Sequence, residues 1–141
     1  MRVEGISAWD IALSGIRAQR LRMNIIANNI ANAETTRTEK GGGPFRRQMV
    51  LLKGYELGKT VSSKQAGVKV KSVIYDMSSF KEVYEPEHPD ANEQGIVKYP
   101  NVQLANEMAD LVSAQRAYEA NIAVFVANRQ IRQRALEILQ R

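Results

Sequence analysis

The single histidine of this 141-residue chain stands in EPEHPD, residues 85–90, among three carboxylates. That mixture of side chains is where a metal ion or a general acid–base pair would be sought first. A metal needs His88 and two or three oxygens to converge, whereas Pro86 and Pro89 hold the backbone extended and drive neighbouring side chains apart. The segment therefore reads as a solvated or hydrogen-bonded loop, and no metal site is expected. A second candidate is GYELGKT, residues 54–60, which approaches a phosphate-binding loop. The working motif sets four residues between its glycines so that successive amides curl around a phosphate. Here there are three, with Lys53 in the place of the first glycine, and the following VSSKQAGVKV lacks the helical period that would supply a helix N-terminus. A Gly-rich hairpin accounts for these residues better. With one His, no Cys and no nucleophile motif, a hydrolytic triad lacks its parts, so neither catalysis nor a cofactor is expected.

The third unusual cluster is amide-rich. In RMNIIANNIANAETT, residues 22–36, Asn24, Asn28 and Asn32 recur every four residues and form one helical ridge, with Asn29 alongside. Asparagine amides compete with the helix backbone, so such a row costs stability unless its side chains find partners. Buried against other chains, uncharged donors and acceptors fix register without the desolvation cost of ions. A plainer explanation is a helix end rich in Asn for capping.

The elements that position these residues are legible from periodicity. Ile6, Leu13, Arg20 and Ala27 form one seven-residue series, and Trp9, Ile16, Met23 and Ile30 another, an a/d seam with one polar break. Ser7 is placed to cap this helix, with Asp10 on the positive end of its dipole. The spacing predicts a helix over residues 7–33, ended before Gly41-Gly42-Gly43-Pro44. After Pro100, Leu104, Leu111, Tyr118, Phe125, Arg132 and Leu139 share one heptad position and Met108, Gln115, Ile122, Arg129 and Leu136 the other. No Gly or Pro interrupts residues 101–140, which argues a coiled coil or helix bundle. Ile131, Ala135 and Ile138 continue an apolar stripe beside the polar break, so the last turns are expected to face a different neighbour. Between the helices the period drops to two, with strands expected over residues 45–52, 68–75, 81–84 and 96–99, punctuated by Gly and Pro.

The predicted fold is α+β: two long terminal helices pairing as an antiparallel coiled coil, around a small β-rich region. Residues 1–40 and 101–141 would form the helical part and residues 41–100 the β part. Within the subunit, Trp9, Leu13, Ile16, Met23, Leu111, Ile122 and Leu136 are assigned to helix packing. Asn24, Asn28, Asn29, Asn32, Tyr118, Asn121, Phe125, Arg129 and Arg132 are assigned to contacts between subunits. Ala27, Ala31, Ala105, Ala109, Ala120 and Ala127 would permit close approach.

Hydrophobic residues make up 44% and charged residues 25%, ordinary for one modest globular unit. Asp10, Arg17, Arg20 and Arg22 break the one N-terminal segment that suggests a membrane span or secretory signal. Without cysteine there is no disulfide framework. The net charge of +5 is spread along the chain, which weakens a nucleic-acid-binding reading. One asymmetry stands out: Arg46, Arg47, Lys53, Lys59, Lys64, Lys69 and Lys71 face Glu56 alone, whereas Asp76, Glu82, Glu85, Glu87, Asp90 and Glu93 are opposed by Lys81 alone. The two halves either neutralise each other within the fold or meet across neighbouring copies.

SGIRAQRLRMNIIANNIANAETTRT, residues 14–38, resembles the N-terminal signature of flagellar rod and hook proteins, the axial components of the bacterial flagellum. VYEPEHPDANEQGIVKYPNV, residues 83–102, and MADLVSAQRAYEANI, residues 108–122, narrow the resemblance to the proximal-rod members, and it spans nearly the whole chain. The resemblance implies a structural subunit of a helical tube in the basal body, its terminal helices forming an inner layer around the export channel and its β region lying outside. It also implies export by the flagellar type III apparatus, self-assembly, contact with other rod proteins and with the MS-ring and export-gate side, and neither nucleic acid nor membrane insertion. The rivals are another axial protein, a basic coiled-coil nucleic-acid binder and a small metal-dependent enzyme.

Overall fold

The computed structural model describes residues 8–39, 42–56 and 66–139. The chain runs α1 (Ala8–Ala31), β1 (Gln48–Glu56), β2 (Ala66–Tyr75), β3 (Lys81–Tyr84), β4 (Ile96–Tyr99) and α2 (Leu104–Leu139). This is an α+β arrangement with small antiparallel sheets between the helices. The proposed cap Ser7 lies outside the described residues, while Asp10 falls in the first turn of α1. The 24 residues of α1 reach about 36 Å and the 36 of α2 about 54 Å.

The contacts between the helices run in opposite order along the two. Trp9 stacks on Phe125 with ring centroids 3.7 Å apart, Gly15 abuts Asn121, Arg22 pairs with Asp110 and Asn29 bonds Glu107. This contact face lies about one residue round from the predicted seam. Its buried members on α1 are Ala12, Ala18, Ile26 and Asn29, and on α2 Glu107 and Ala114. The reason is chemical: small residues let the backbones approach, and polar pairs occupy positions that an apolar heptad count skips. Leu111, Tyr118 and Phe125 flank the face half-buried, while Met108, Gln115, Arg129 and Leu136 of the other expected row are exposed. The alanines expected to allow close approach of neighbouring chains, Ala27, Ala31, Ala105, Ala109, Ala120 and Ala127, are all exposed, whereas Ala12, Ala18 and Ala114 line the contact between the chain's own helices.

β1 and β2 pair antiparallel over their length, with a register shift between Leu51 and Leu52 that makes a bulge. Val68 and Val70 alternate with exposed Lys69, so one face of this hairpin rests on α1. There the Val68 amide donates to the Ser14 hydroxyl. Gly54 of the GYELGKT segment lies inside β1 opposite Val68, in a ladder and not at a helix N-terminus; residues 57–60 lie outside the described residues. The strand expected over residues 45–52 is displaced to Gln48–Glu56, because the residues before it are bonded elsewhere: the Phe45 N–H to the Thr35 carbonyl, Arg46 to the Asp76 carbonyl and Arg47 to Glu107.

β3 and β4 form the second hairpin. Its connection turns back at Gly95, whose φ of +74° suits glycine; a Cβ there would sit 2.9 Å from the Tyr84 ring. Val97 of β4 is fully buried, and Asn101 then ties the two hairpins together. Its side-chain oxygen accepts from the Arg47 backbone N–H at 2.9 Å and its side-chain NH2 donates to the Asp76 backbone carbonyl at 3.0 Å.

Candidate assembly interface

The four asparagines of residues 24–32 divide into separate roles. Asn29 is 1% exposed; its amide donates to the Gln48 carbonyl at 2.8 Å and to Glu107 Oε2 at 2.9 Å, and its oxygen accepts from the Gln48 N–H at 2.9 Å. Its assignment to a surface between subunits is thus corrected: about 100° round the helix from Asn28, it faces inward and joins α1, β1 and α2 within one chain. Asn32 closes α1, donating to the Asn28 carbonyl at 2.9 Å and to Asn28 Oδ1 at 3.1 Å, which is the capping role weighed above. Asn24 and Asn28 face outward.

Asn29 belongs to a buried charged knot. Glu107 is fully buried, accepting from Asn29 on Oε2 and from Arg47 Nε on Oε1 at 2.6 Å. Arg47 also reaches Asp76 at 3.4 Å and Asp110 at 3.7 Å, and Asp110 pairs with Arg22 at 2.9 Å. Burial opposes the charge of Arg47, but the hydrogen bond and field of Glu107, then those of Asp76, hold its pKa above the ordinary value. Asp76 is held below its ordinary value chiefly by the Ser78 N–H, then by the Ser78 side chain and, more weakly, by Arg47. The pairing of Arg47, one member of the basic stretch, with Glu107 was not legible in the sequence because the two lie 60 residues apart. A carboxylate on the helix face that also carries Leu111, Ala114 and Tyr118 was the available signal.

The remaining assigned residues sort by exposure. Asn121 donates to the Ala117 carbonyl and presses on Gly15, Phe125 stacks on Trp9, and the Arg132 guanidinium lies 5.9 Å over the Trp9 ring. These three, expected between subunits, are engaged within the chain because α1 reaches as far as they do. Tyr118 is half-buried and Arg129 exposed. Leu13, Ile16, Met23, Leu111 and Ile122 are half-buried, whereas Leu136, expected to pack within the subunit, is 60% exposed. It lies one turn beyond Arg132, whose guanidinium is placed over the Trp9 ring.

Large apolar side chains remain uncovered along α2, on both sides of its inner face. At about 100° per residue, Leu104, Met108 and Val112 project on one flank, and Val124, Ile131 and Ile138 on the other; all six are exposed. The EPEHPD loop holds no convergent ligands. His88 Nδ1 accepts from the Asp90 N–H, Asp90 takes the Thr36 hydroxyl at 2.8 Å, and Glu85 takes the Tyr99 hydroxyl at 2.9 Å. That last bond, with burial and the fields of Glu85 and Glu34, raises the Tyr99 pKa. Among the described residues no group of His, Cys, Asp and Glu could hold a metal ion, and no helix is long and apolar enough to cross a membrane.

Residues 10–37, covering most of α1, match the family model described as flagella basal body rod protein. Residues 93–138, covering β4 and nearly all of α2, match the model described as flagellar basal body rod FlgEFG protein C-terminal. The chain is 40% identical over 141 residues to flagellar basal-body rod protein FlgC of Bacillus subtilis (strain 168), covering 92% of this chain and 94% of that protein. It belongs to the FlgC family of flagellar basal-body rod proteins. FlgC of Borreliella burgdorferi is 40% identical over 148 residues, covering 95% of this chain and 97% of the relative. FlgC of Salmonella typhimurium is 40% identical over 119 residues, covering 84% and 86%. As a FlgC-family chain it is a structural component of the flagellar basal body, and no catalytic family is indicated.

Proposed function

We propose that α1 and α2 pair as an antiparallel coiled coil in the inner layer of a helical tube that surrounds the export channel and transmits torque. Residues 1–40 and 101–141 form one helical unit in this reading, and residues 41–100 project outward. The observation that carries it is the row of exposed apolar side chains on both flanks of α2. A helix with one partner needs one apolar face, whereas one set side by side with copies in a tube needs neighbours on two sides. Exposed apolar surface of this extent marks an interaction surface. Torque then passes through packed helices, without chemistry in any subunit. Neighbours are other copies and other rod proteins, with the MS-ring and export-gate side at one end.

Val112→Lys with Ile131→Lys tests the reading, since the two sites lie on opposite flanks of α2. The isolated chain should keep its helical circular dichroism and unfolding midpoint. Basal bodies purified from cells carrying the double variant as their only copy should lack the subunit, and the cells should not swim. Normal incorporation and motility sink the proposal.

A further inference from the structure

We propose that the outer face of the β1–β2 hairpin docks onto the acidic loop between β3 and β4 of a second copy of this chain; this rests on the assembly reading above and names the surfaces it uses. Lys53 and Lys69 are direct cross-strand partners, and both are exposed. Like charges facing each other across a ladder destabilise a hairpin, so the pair carries a cost that the isolated fold does not offset. Lys71 sits at the adjacent bulge and is also exposed. The Lys69 ammonium lies 5.8 Å over the Tyr55 ring, a weak contact that leaves its charge uncompensated.

The chain's own acidic stretch does not neutralise these lysines. Among the ion pairs of the described residues, Arg47–Asp76 alone joins the basic stretch to the acidic one. Glu82 pairs with Lys98 of its own hairpin, Asp90 with Arg37, and Glu85 takes the Tyr99 hydroxyl. Glu87 and Glu93 stand exposed on the β3–β4 connection, with no ion pair among the described residues. The chain thus presents one unneutralised basic face and one unneutralised acidic loop on different hairpins. Complementary patches at different sites on identical molecules make a head-to-tail contact, which builds open helical or ring assemblies. Each exposed pair contributes little, and repetition around the assembly supplies the effect.

The test uses two variants of the full chain. One carries Lys53→Glu, Lys69→Glu and Lys71→Glu, so that both surfaces are acidic; the other carries Glu87→Lys and Glu93→Lys, so that both are basic. Circular dichroism first establishes that each is folded. Self-association is then followed by sedimentation velocity at low salt and at 1 M salt, where the Debye length falls to about 3 Å. The wild-type chain is expected to associate at low salt and dissociate at least about tenfold more readily at high salt. Each variant alone should associate about tenfold more weakly than wild type. An equimolar mixture of the two should regain wild-type association, because each hairpin then meets an opposite loop on the other variant. Neutralisation inside one chain cannot produce that recovery. Unchanged association of either variant, a mixture no better than its components, or a wild type that stays monomeric at low salt overturns the proposal. The assembly reading is judged separately, by whether the α2 flank variant above enters basal bodies.

Discussion

Glu107 receives one hydrogen bond on each carboxylate oxygen, from Arg47 and from Asn29, and its side chain is 1% exposed. Glutamine has nearly the same shape but only one acceptor oxygen, so Glu107→Gln must turn its NH2 toward one of the two donors. Leaving a buried donor unmet costs about 1–3 kcal/mol, and that range is the expected loss in unfolding free energy. Asp110→Asn, whose partner Arg22 is partly solvated, should cost under about 1 kcal/mol. Denaturant melts separate the two: a shift of midpoint without a change of slope is expected for both, several times larger for Glu107→Gln. Equal shifts would mean that the knot does not anchor the hairpin. Asp76 gives a second, pH-dependent readout. Its pKa is lowered in the folded chain, so its stabilisation is complete above the ordinary carboxylate value near 3.8 and is lost as pH falls below that through the folded value. The stability gap between wild type and Asp76→Asn should therefore be constant from about pH 5 upward and shrink below about pH 4. A gap that stays constant down to pH 2 contradicts the assignment.

Gly15 is where the two helices approach most closely in a way a substitution can probe. A Cβ at Gly15 would sit 2.7 Å from Asn121 Oδ1, and Asn121 cannot swing aside freely because its amide is bound to the Ala117 carbonyl at 2.8 Å. Alanine favours a helix by about 1 kcal/mol over glycine, yet overpacking costs about 1–3 kcal/mol, so Gly15→Ala should be neutral to destabilising. Adding Asn121→Ala removes the obstruction, and the double variant should be about 1–2 kcal/mol more stable than additivity predicts. Simple additivity in that cycle would deny the contact. The same contact explains what the sequence hid. Helix existence, the strands at residues 81–84 and 96–99 and the family signature were all legible, because periodicity and turn residues are local. The helix face was misjudged by one residue because its members are Gly15, Ala18, Arg22, Asn29, Glu107 and Ala114, which an apolar count overlooks. Asn29 and Glu107 are 78 residues apart, and no local pattern couples them. Gln19 Oε1 and Asn128 Oδ1 carry the polar character further, buried without a partner among the described residues. Gln19→Met should accordingly stabilise the isolated chain by up to about 1 kcal/mol in thermal unfolding; a loss instead would indicate that Gln19 is satisfied by water.

The whole chain is built around a core too small for its length. Among the described residues the buried apolar side chains are Ala12, Ala18, Ile26, Val97 and Ala114, three of them alanines, while fifteen large apolar side chains are exposed. Six of the fifteen, from Val124 to Leu139, belong to the second half of α2. Past Arg132, that helix has no described element beside it, and an isolated helix of so few turns is marginal in water. Stability must therefore fall along α2, from the charged knot at Glu107 toward Leu139. Hydrogen exchange on the free, full-length chain should find residues 107–121 protected close to the global unfolding free energy and residues 133–139 exchanging almost as an open chain. If neighbours cover the flanks of α2 in the rod, the second half gains the partner it lacks, and its protection should rise at least about thirtyfold on assembly, the equivalent of about 2 kcal/mol of local stability. Residues 107–121 should change far less, since their inner partners already lie within the chain. A second half of α2 that is equally protected before and after incorporation would mean that the helix is complete by itself, and that the exposed apolar residues are not what binds one subunit to the next.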